Sequence, residues 1–203
     1  MSEGIQHVYI VDDDAAVRDA LAYLLASVGQ SVRVFESAQA FLEHCAGHEC
    51  CGCVVLDVRM PGMSGMEVLQ RLYEQEAALP VIVITGHGDV PMAVEAMKLG
   101  AIDFLQKPFR DQALLERIQY ALEQAATQQQ TRRDQDIIRQ RLAELTPRES
   151  QVLTAVVEGK ANKVIASELS LSQRTVEIHR ARIMGKMQAQ SLANLVQMVM
   201  QVR

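Results

Sequence analysis

The sequence predicts an α/β fold over residues 1–122, a doubly wound five-stranded parallel sheet, followed by a helical linker over 123–142 and an all-α four-helix domain over 143–203. Three observations predict it. Between residues 8 and 122 a short apolar run, a loop and a segment of helical period recur five times, the pattern of parallel strands covered by helices. Between about 123 and 145 the composition turns to Gln, Arg and Asp with no Gly or Pro to break a helix. At Thr146-Pro147-Arg148-Glu149 a capping box coincides with proline at the first helical position, which marks a new helix and a new domain.

The five apolar runs are 8–11, 32–35, 53–56, 81–84 and 102–105, each near the length of a buried strand. Val17, Ala20, Leu21, Leu24, Leu25 and Val28 recur at spacings of three and four, so the first helix packs this face on the sheet, and Gly29 supplies its left-handed stop. Ser37 and Ser64 suit the N-caps of the next two helices. Pro91 and Gly100 fit the start and stop of the fourth. After the capping box, Val152, Leu153, Val156 and Val157 form one apolar helical face ending at Gly159, and 162–169 forms a second short helix. Ser172 caps a third, whose Val176, His179, Ile183 and Met187 share the side that faces the core. The last helix spans about 191–202.

With 203 residues, 49% hydrophobic and 22% charged, the chain can bury two cores and is not disordered as a whole. The net charge of −5 conceals an asymmetry. From Thr146 to Arg203 there are eight Lys and Arg against four Asp and Glu, and before it twelve against twenty-one, so the halves carry −9 and +4 and suit different partners. No basic-then-apolar N-terminal segment and no 18-residue apolar run occurs, so the expectation is a cytoplasmic protein without a membrane partner. Cys45, Cys50, Cys51 and Cys53 are too crowded for a disulfide framework, and reduced thiols are expected.

In a doubly wound sheet, functional groups gather at the carboxyl ends of the strands, where the strand order reverses. Asp12, Asp13 and Asp14 end the first run, Asp57 the third and Thr85 the fourth, while Lys107 and Pro108 follow the fifth. Carboxylates brought together repel unless a cation neutralises them. Mg²⁺, which takes one or two carboxylates together with phosphate oxygens and water, suits Asp13 and Asp57. Asp57 can then act as a nucleophile toward a phosphoryl group whose oxygens Lys107 and Thr85 help to hold.

Val11-Asp12-Asp13, Leu56-Asp57-Val58-Arg59-Met60-Pro61-Gly62, Ile84-Thr85-Gly86 and Lys107-Pro108-Phe109, in that order, resemble the motifs of response-regulator receiver domains, which have the flavodoxin- and CheY-like fold. The resemblance implies Asp57 as phosphoacceptor and Lys107 as the lysine that binds the phosphoryl group. It implies a Mg²⁺ site from Asp12, Asp13, Asp57 and the backbone carbonyl of Arg59. It makes Thr85 and Phe104 a switch pair, implies a cis peptide before Pro108, and places Gly86 where many receivers carry alanine.

On the third helix of the last domain, the side opposite the core displays Arg174, Glu177, Ile178, Ala181, Arg182 and Gly185. Such a surface can read base edges in a major groove, with Lys160, Lys163 and Lys186 meeting phosphates. Leu145-Thr146-Pro147-Arg148-Glu149, Asn162-Lys163-Val164-Ile165-Ala166, Thr175-Val176-Glu177-Ile178-His179-Arg180 and Ala193-Asn194-Leu195-Val196 resemble the LuxR-type helix-turn-helix. Thr175 joins the DNA-contacting set by that match.

A receiver joined to this module is the architecture of the NarL/FixJ response regulators, and the stretch 85–94 is most similar to the FixJ and StyR branch. The resemblance implies a receiver over 1–122, a linker over 123–142 and a DNA-binding domain over 143–203. It implies a sensor histidine kinase, double-stranded promoter DNA and RNA polymerase as partners. It also implies homodimerisation on phosphorylation through the fourth-helix to fifth-helix face, and a seam of Leu192, Leu195, Val196 and Val199 on the last helix. An enzymatic role is not expected: a haloacid-dehalogenase-like phosphatase needs a second aspartate two positions after Asp57, where Arg59 stands. The rival ligand set for a metal or redox sensor is His44, Cys45, His48, Cys50, Cys51 and Cys53, at irregular spacing.

Overall fold

The computed structural model describes residues 6–48, 50–75, 77, 79–86 and 88–202. The chain divides into two compact units, Met1–Gln129 and Gln130–Arg203. In the first, strands β1 (His7–Val11), β2 (Val32–Phe35), β3 (Gly52–Asp57), β4 (Val81–Thr85) and β5 (Asp103–Gln106) alternate with helices α1 (Ala15–Ser27), α2 (Ala38–Gly47), α3 (Gly65–Glu74), α4 (Val90–Lys98) and the first part of α5 (Asp111–Ala143), whose residues from Gln130 on belong to the second unit. All strand pairs are parallel and the order is β2-β1-β3-β4-β5, so the chain reverses its winding between β1 and β3.

The alternation of side chains along each strand builds two cores. Tyr9, Val11, Val54, Leu56, Val81 and Val83 pack with Phe41 of α2, Leu69 and Leu72 of α3 and Ala96 of α4. Val8, Ile10, Cys53, Val55, Ile82 and Ile84 pack on the other face with Leu21 and Leu25 of α1 and Leu114 and Ile118 of α5. The apolar face expected of α1 is narrower than its spacing suggests: Ala20 and Val28 are exposed, and Val17 and Leu24 are half-buried. A three-to-four spacing sweeps a wide arc, and the sheet covers only its middle.

Ser37 and Ser64 cap α2 and α3 as expected, and Ser64 forms a full capping box with Glu67. Asp14 and Asp89 cap α1 and α4, two caps the sequence reading did not name. Gly29 and Gly100 adopt φ of 77° and 85° as helix stops. The segment expected as a helical linker continues α5, which runs unbroken for 33 residues.

In the second unit, α6 (Pro147–Val157), α7 (Asn162–Glu168), α8 (Gln173–Met187) and α9 (Leu192–Met200) surround Val152, Val156, Ile165, Val176, Ile183 and Met187. Thr146 and Glu149 make the expected capping box, and Ser172 caps α8 through Thr175 N. Arg180 of α8 donates to Asn162 Oδ1 of α7 at 2.9 Å, which pins the angle of the helix-turn-helix.

Candidate functional site

The carboxyl ends of β1, β3 and β5 bring Asp12, Asp57 and Lys107 together at the point where the winding reverses. Asp12 and Asp57 are only 1% and 6% exposed, and Lys107 Nζ bridges them, 2.7 Å from Asp12 Oδ2 and 2.8 Å from Asp57 Oδ1. The other oxygens are held by backbone: Asp14 N donates to Asp12 Oδ1 at 2.9 Å and Arg59 N to Asp57 Oδ2 at 2.7 Å. Lys107 N donates to Thr85 O at 2.7 Å, which ties the loop after β5 to the end of β4, and the Lys107–Pro108 peptide is cis as the resemblance implied.

Burial pushes the Asp57 carboxyl above its ordinary range, the Lys107 hydrogen bond and charge pull it down, and Asp12 pushes it up again; the net direction is up. Burial works against the Lys107 ammonium, but Asp12 and Asp57 together outweigh it and raise its pKa. Two nearly buried carboxylates that share one ammonium leave negative charge uncompensated, and every donor is oxygen, so a hard divalent cation fits. Asp13 stands exposed at the rim, and among the described residues no three His, Cys, Asp or Glu side chains are gathered for one metal. Among the described residues, His44, Cys45, His48, Cys50, Cys51 and Cys53 likewise bring no three of these side chains together for one metal, although Cys45 and Cys50 meet in a pair.

Thr85 is fully buried and Phe104 half-buried beside it. Gly88 explains how the pair fits: a Cβ there would lie 2.5 Å from Phe104 Cζ and 2.9 Å from Thr85 Cγ2. Gly65, at the start of α3, likewise lets the helix approach the Asp57 backbone, and its N–H donates to Val58 O at 3.0 Å. Neither glycine carries a signal in the sequence, because the demand on each comes from a distant segment. Within 85–94, His87 lies outside the described residues.

On α8, Arg174, Glu177, Ile178, Ala181, Arg182 and Gly185 are exposed on one face, and Thr175 is half-buried with its hydroxyl 2.7 Å from Ser172 Oγ. Lys163 is exposed. Lys160 is paired within the domain, 3.1 Å from Glu158 and 2.7 Å from Glu168, and Lys186 donates to Glu149 Oε2 at 2.7 Å and Glu144 O at 3.0 Å. Glu149 is buried, and its carboxyl is held down to about 2 by the Lys186 hydrogen bond and then by Thr146 N. Arg141, missed in the sequence, donates to Met187 O and Gln188 Oε1 and so caps the end of α8.

The expected seam on α9 needs correction. Leu195 and Val199 are buried in the core of their own domain, while Leu192 is 46% exposed and Val196 half-buried. The apolar spacing was read correctly, but it does not say whether the opposing surface is the same domain or a second copy.

Residues 8–119 match the family described as the response regulator receiver domain, and residues 143–199 match the LuxR family of bacterial regulatory proteins. The transcriptional regulatory protein FixJ of Bradyrhizobium diazoefficiens is 50% identical over 194 residues, which span 96% of this chain and 94% of that protein. The response regulator protein TmoT of Ectopseudomonas mendocina is 48% identical across 93% of this chain and 86% of its own. The chain belongs to the NarL/FixJ response regulators, in their FixJ and StyR branch. The solved structure of the response regulator StyR superposes on it with a TM-score of 0.84 at 47% identity, covering 97% of this chain and 99% of that one. Full-length FixJ from B. japonicum gives a TM-score of 0.59 at 49% identity over 97% of each chain. This response regulator is thus a transcription regulator and not an enzyme.

Proposed function

We propose that this response regulator accepts a phosphoryl group on Asp57 from a sensor histidine kinase and binds promoter DNA through α8 in response. The observation that carries the reading is the Lys107 ammonium, 2.7 and 2.8 Å from Asp12 and Asp57 at the winding reversal. Asp57 Oδ1 is the attacking atom; it faces Lys107, whose charge steadies both the carboxylate and the phosphoryl oxygens that replace it. Arg59 N holds Oδ2 and orients the nucleophile. Asp12, Asp13, Asp57 and the Arg59 carbonyl would hold Mg²⁺, which would supply positive charge against the carboxylates and the incoming phosphoryl group. A groove lined by Ala16, Val17, Ala20, Leu24, Pro108 and Phe109 opens beside Lys107 and offers the kinase an apolar platform next to the acceptor.

Once Asp57 is modified, the Thr85 hydroxyl turns toward the new oxygens, and Phe104 fills the space it leaves. The readout is a receiver surface on α4 and β5, where Val90, Val94 and Met97 are exposed and give a second copy apolar area to bury. Two α8 helices then engage two half-sites, with Arg174, Thr175, Glu177, Ile178, Ala181 and Arg182 toward the bases and Lys163 toward phosphate. Lys160 and Lys186 serve the domain's own ion pairs first. Residues 123–142 link the two functions as part of α5, the protein is cytoplasmic, and RNA polymerase is the further partner at the promoter.

The test is labelling with acetyl phosphate and Mg²⁺, followed by intact mass and sedimentation of wild type and Asp57→Asn. One phosphoryl adduct on wild type, lost in the variant and accompanied by a shift to dimer, is expected. An adduct that survives in the variant assigns the acceptor elsewhere and overturns the reading.

A further inference from the structure

The cysteines clustered at 45–53 take no part in the acceptor pocket; they lie around the opposite end of the sheet, where β3 begins. Two of the four are committed. Cys53 is sealed in the core, where burial pushes its thiol up to about 12, and Cys51 accepts a hydrogen bond from Gln129 Nε2 at 3.0 Å. Cys45, near the end of α2, and Cys50, in the loop before β3, instead face each other with their Sγ atoms 3.0 Å apart. Both are half-buried, so small solutes can reach them.

A disulfide needs its sulfurs about 2.05 Å apart, so the two sulfurs stand roughly one ångström short of bonding distance. The surroundings also divide the roles. The contact between the two sulfurs favours the Cys50 thiolate, burial opposes it, and the Tyr9 hydroxyl and the charges of His48 and Arg33 favour it again; the net direction is down. Cys45 keeps its proton, held up by its hydrogen bond to Cys50 and then by burial. An accessible thiolate in contact with a protonated second thiol pairs an attacking with a resolving cysteine.

We infer that Cys45 and Cys50 are a dithiol–disulfide pair in which Cys50 meets hydrogen peroxide and Cys45 closes the bond. Cys50 Sγ attacks one peroxide oxygen, the O–O bond breaks, and the leaving oxygen takes protons to become water. Cys45 then attacks Cys50 Sγ, its proton leaves with the sulfenic oxygen as a second water, and the S–S bond forms. Two thiols are oxidised by two electrons and one peroxide is reduced to two waters. A dithiol reductant reverses the bond by exchange. The bond staples α2 to the start of β3, the strand that carries Asp57 at its far end.

The full-length chain, reduced and then treated with stoichiometric hydrogen peroxide, should lose two of its four thiols when these are counted after denaturation. Its mass should fall by about 2 Da, and non-reducing peptide mapping should link Cys45 to Cys50. In Cys45→Ser the sulfenic acid on Cys50 should persist and be trapped by a cyclic diketone, a gain of about 16 Da before trapping. In Cys50→Ser all remaining thiols should survive, and Cys51→Ser should behave as wild type. Four thiols intact in wild type after excess peroxide, a link through Cys51, or oxidation of Cys45 in the absence of Cys50 would each overturn the inference.

Discussion

Replacing Gly65 with alanine tests whether the end of β3 at Asp57 is positioned by backbone contact with α3. The added Cβ would overlap the Asp57 carbonyl oxygen and sit 2.9 Å from its carbon and 3.0 Å from Val58 Cα. All three neighbours are backbone, so no side chain can swing aside, and the Gly65 N–H to Val58 O bond at 3.0 Å must stretch or break. Overpacking of this kind costs about 1–3 kcal/mol, and with only backbone to yield the upper end, about 3 kcal/mol, is expected. For a unit of this size that lowers Tm by roughly 10 °C. Two nearby glycines calibrate the result. Gly62 has open space but φ of 81°, so Gly62→Ala carries only the left-handed backbone cost of about 1 kcal/mol. Gly86 has nothing within 4 Å, so Gly86→Ala should fall within about 0.5 kcal/mol of wild type. Melting followed by circular dichroism gives the order, and acetyl-phosphate labelling should slow most in Gly65→Ala because Asp57 is displaced with its backbone. A Gly65→Ala protein that melts within about 2 °C of wild type, or that is more stable than Gly62→Ala, refutes the reasoning.

Three further outcomes follow from the same geometry. Lys107→Met leaves two buried carboxylates without their cation and should destabilise the first unit by about 2 kcal/mol near neutral pH; the loss should shrink as pH falls through the carboxylate range, checked by urea unfolding at two pH values. Glu149 has a folded pKa depressed from the ordinary 4.5 to about 2, so its stabilisation is complete above about 4.5 and lost as pH falls toward 2. Glu149→Gln should therefore flatten the dependence of the second unit's Tm on pH in that window and nowhere else. Leu195→Ala, at a position 3% exposed, should cost the second unit about 3 kcal/mol, whereas Leu192→Ala, 46% exposed, should be nearly neutral; a stable Leu195→Ala protein that fails to dimerise would restore the seam on α9.

Much of the Asp12–Asp57–Lys107 cluster was legible because its residues sit at strand ends, and strand ends follow from hydrophobic period. Asp12, Asp57, Thr85 and Lys107 needed only the rule that a doubly wound sheet gathers these ends at one place. Gly65 and Gly88 were invisible for the complementary reason: what each makes room for, the Asp57 backbone or the Phe104 ring, comes from outside its own stretch of chain. The side of α8 opposite its core face is a surface, as its spacing predicts, since Arg174, Glu177, Ile178, Ala181 and Arg182 are all exposed. Charge alone could not tell Lys163, which is exposed, from Lys186, which is spent on a buried glutamate.

By itself, the sequence determined the order and type of the elements, several of their caps and stops, and which chemistry stands at the strand ends, because hydrophobic period, capping and turn preferences are local properties of the chain. Only the tertiary structure decided which apolar faces are core and which are surface, as on α9. It also decided which cations are already paired, which glycines face a neighbour, and that Cys45 meets Cys50 while Cys51 meets Gln129. Each of those depends on a partner whose distance in space is not a function of its distance along the chain.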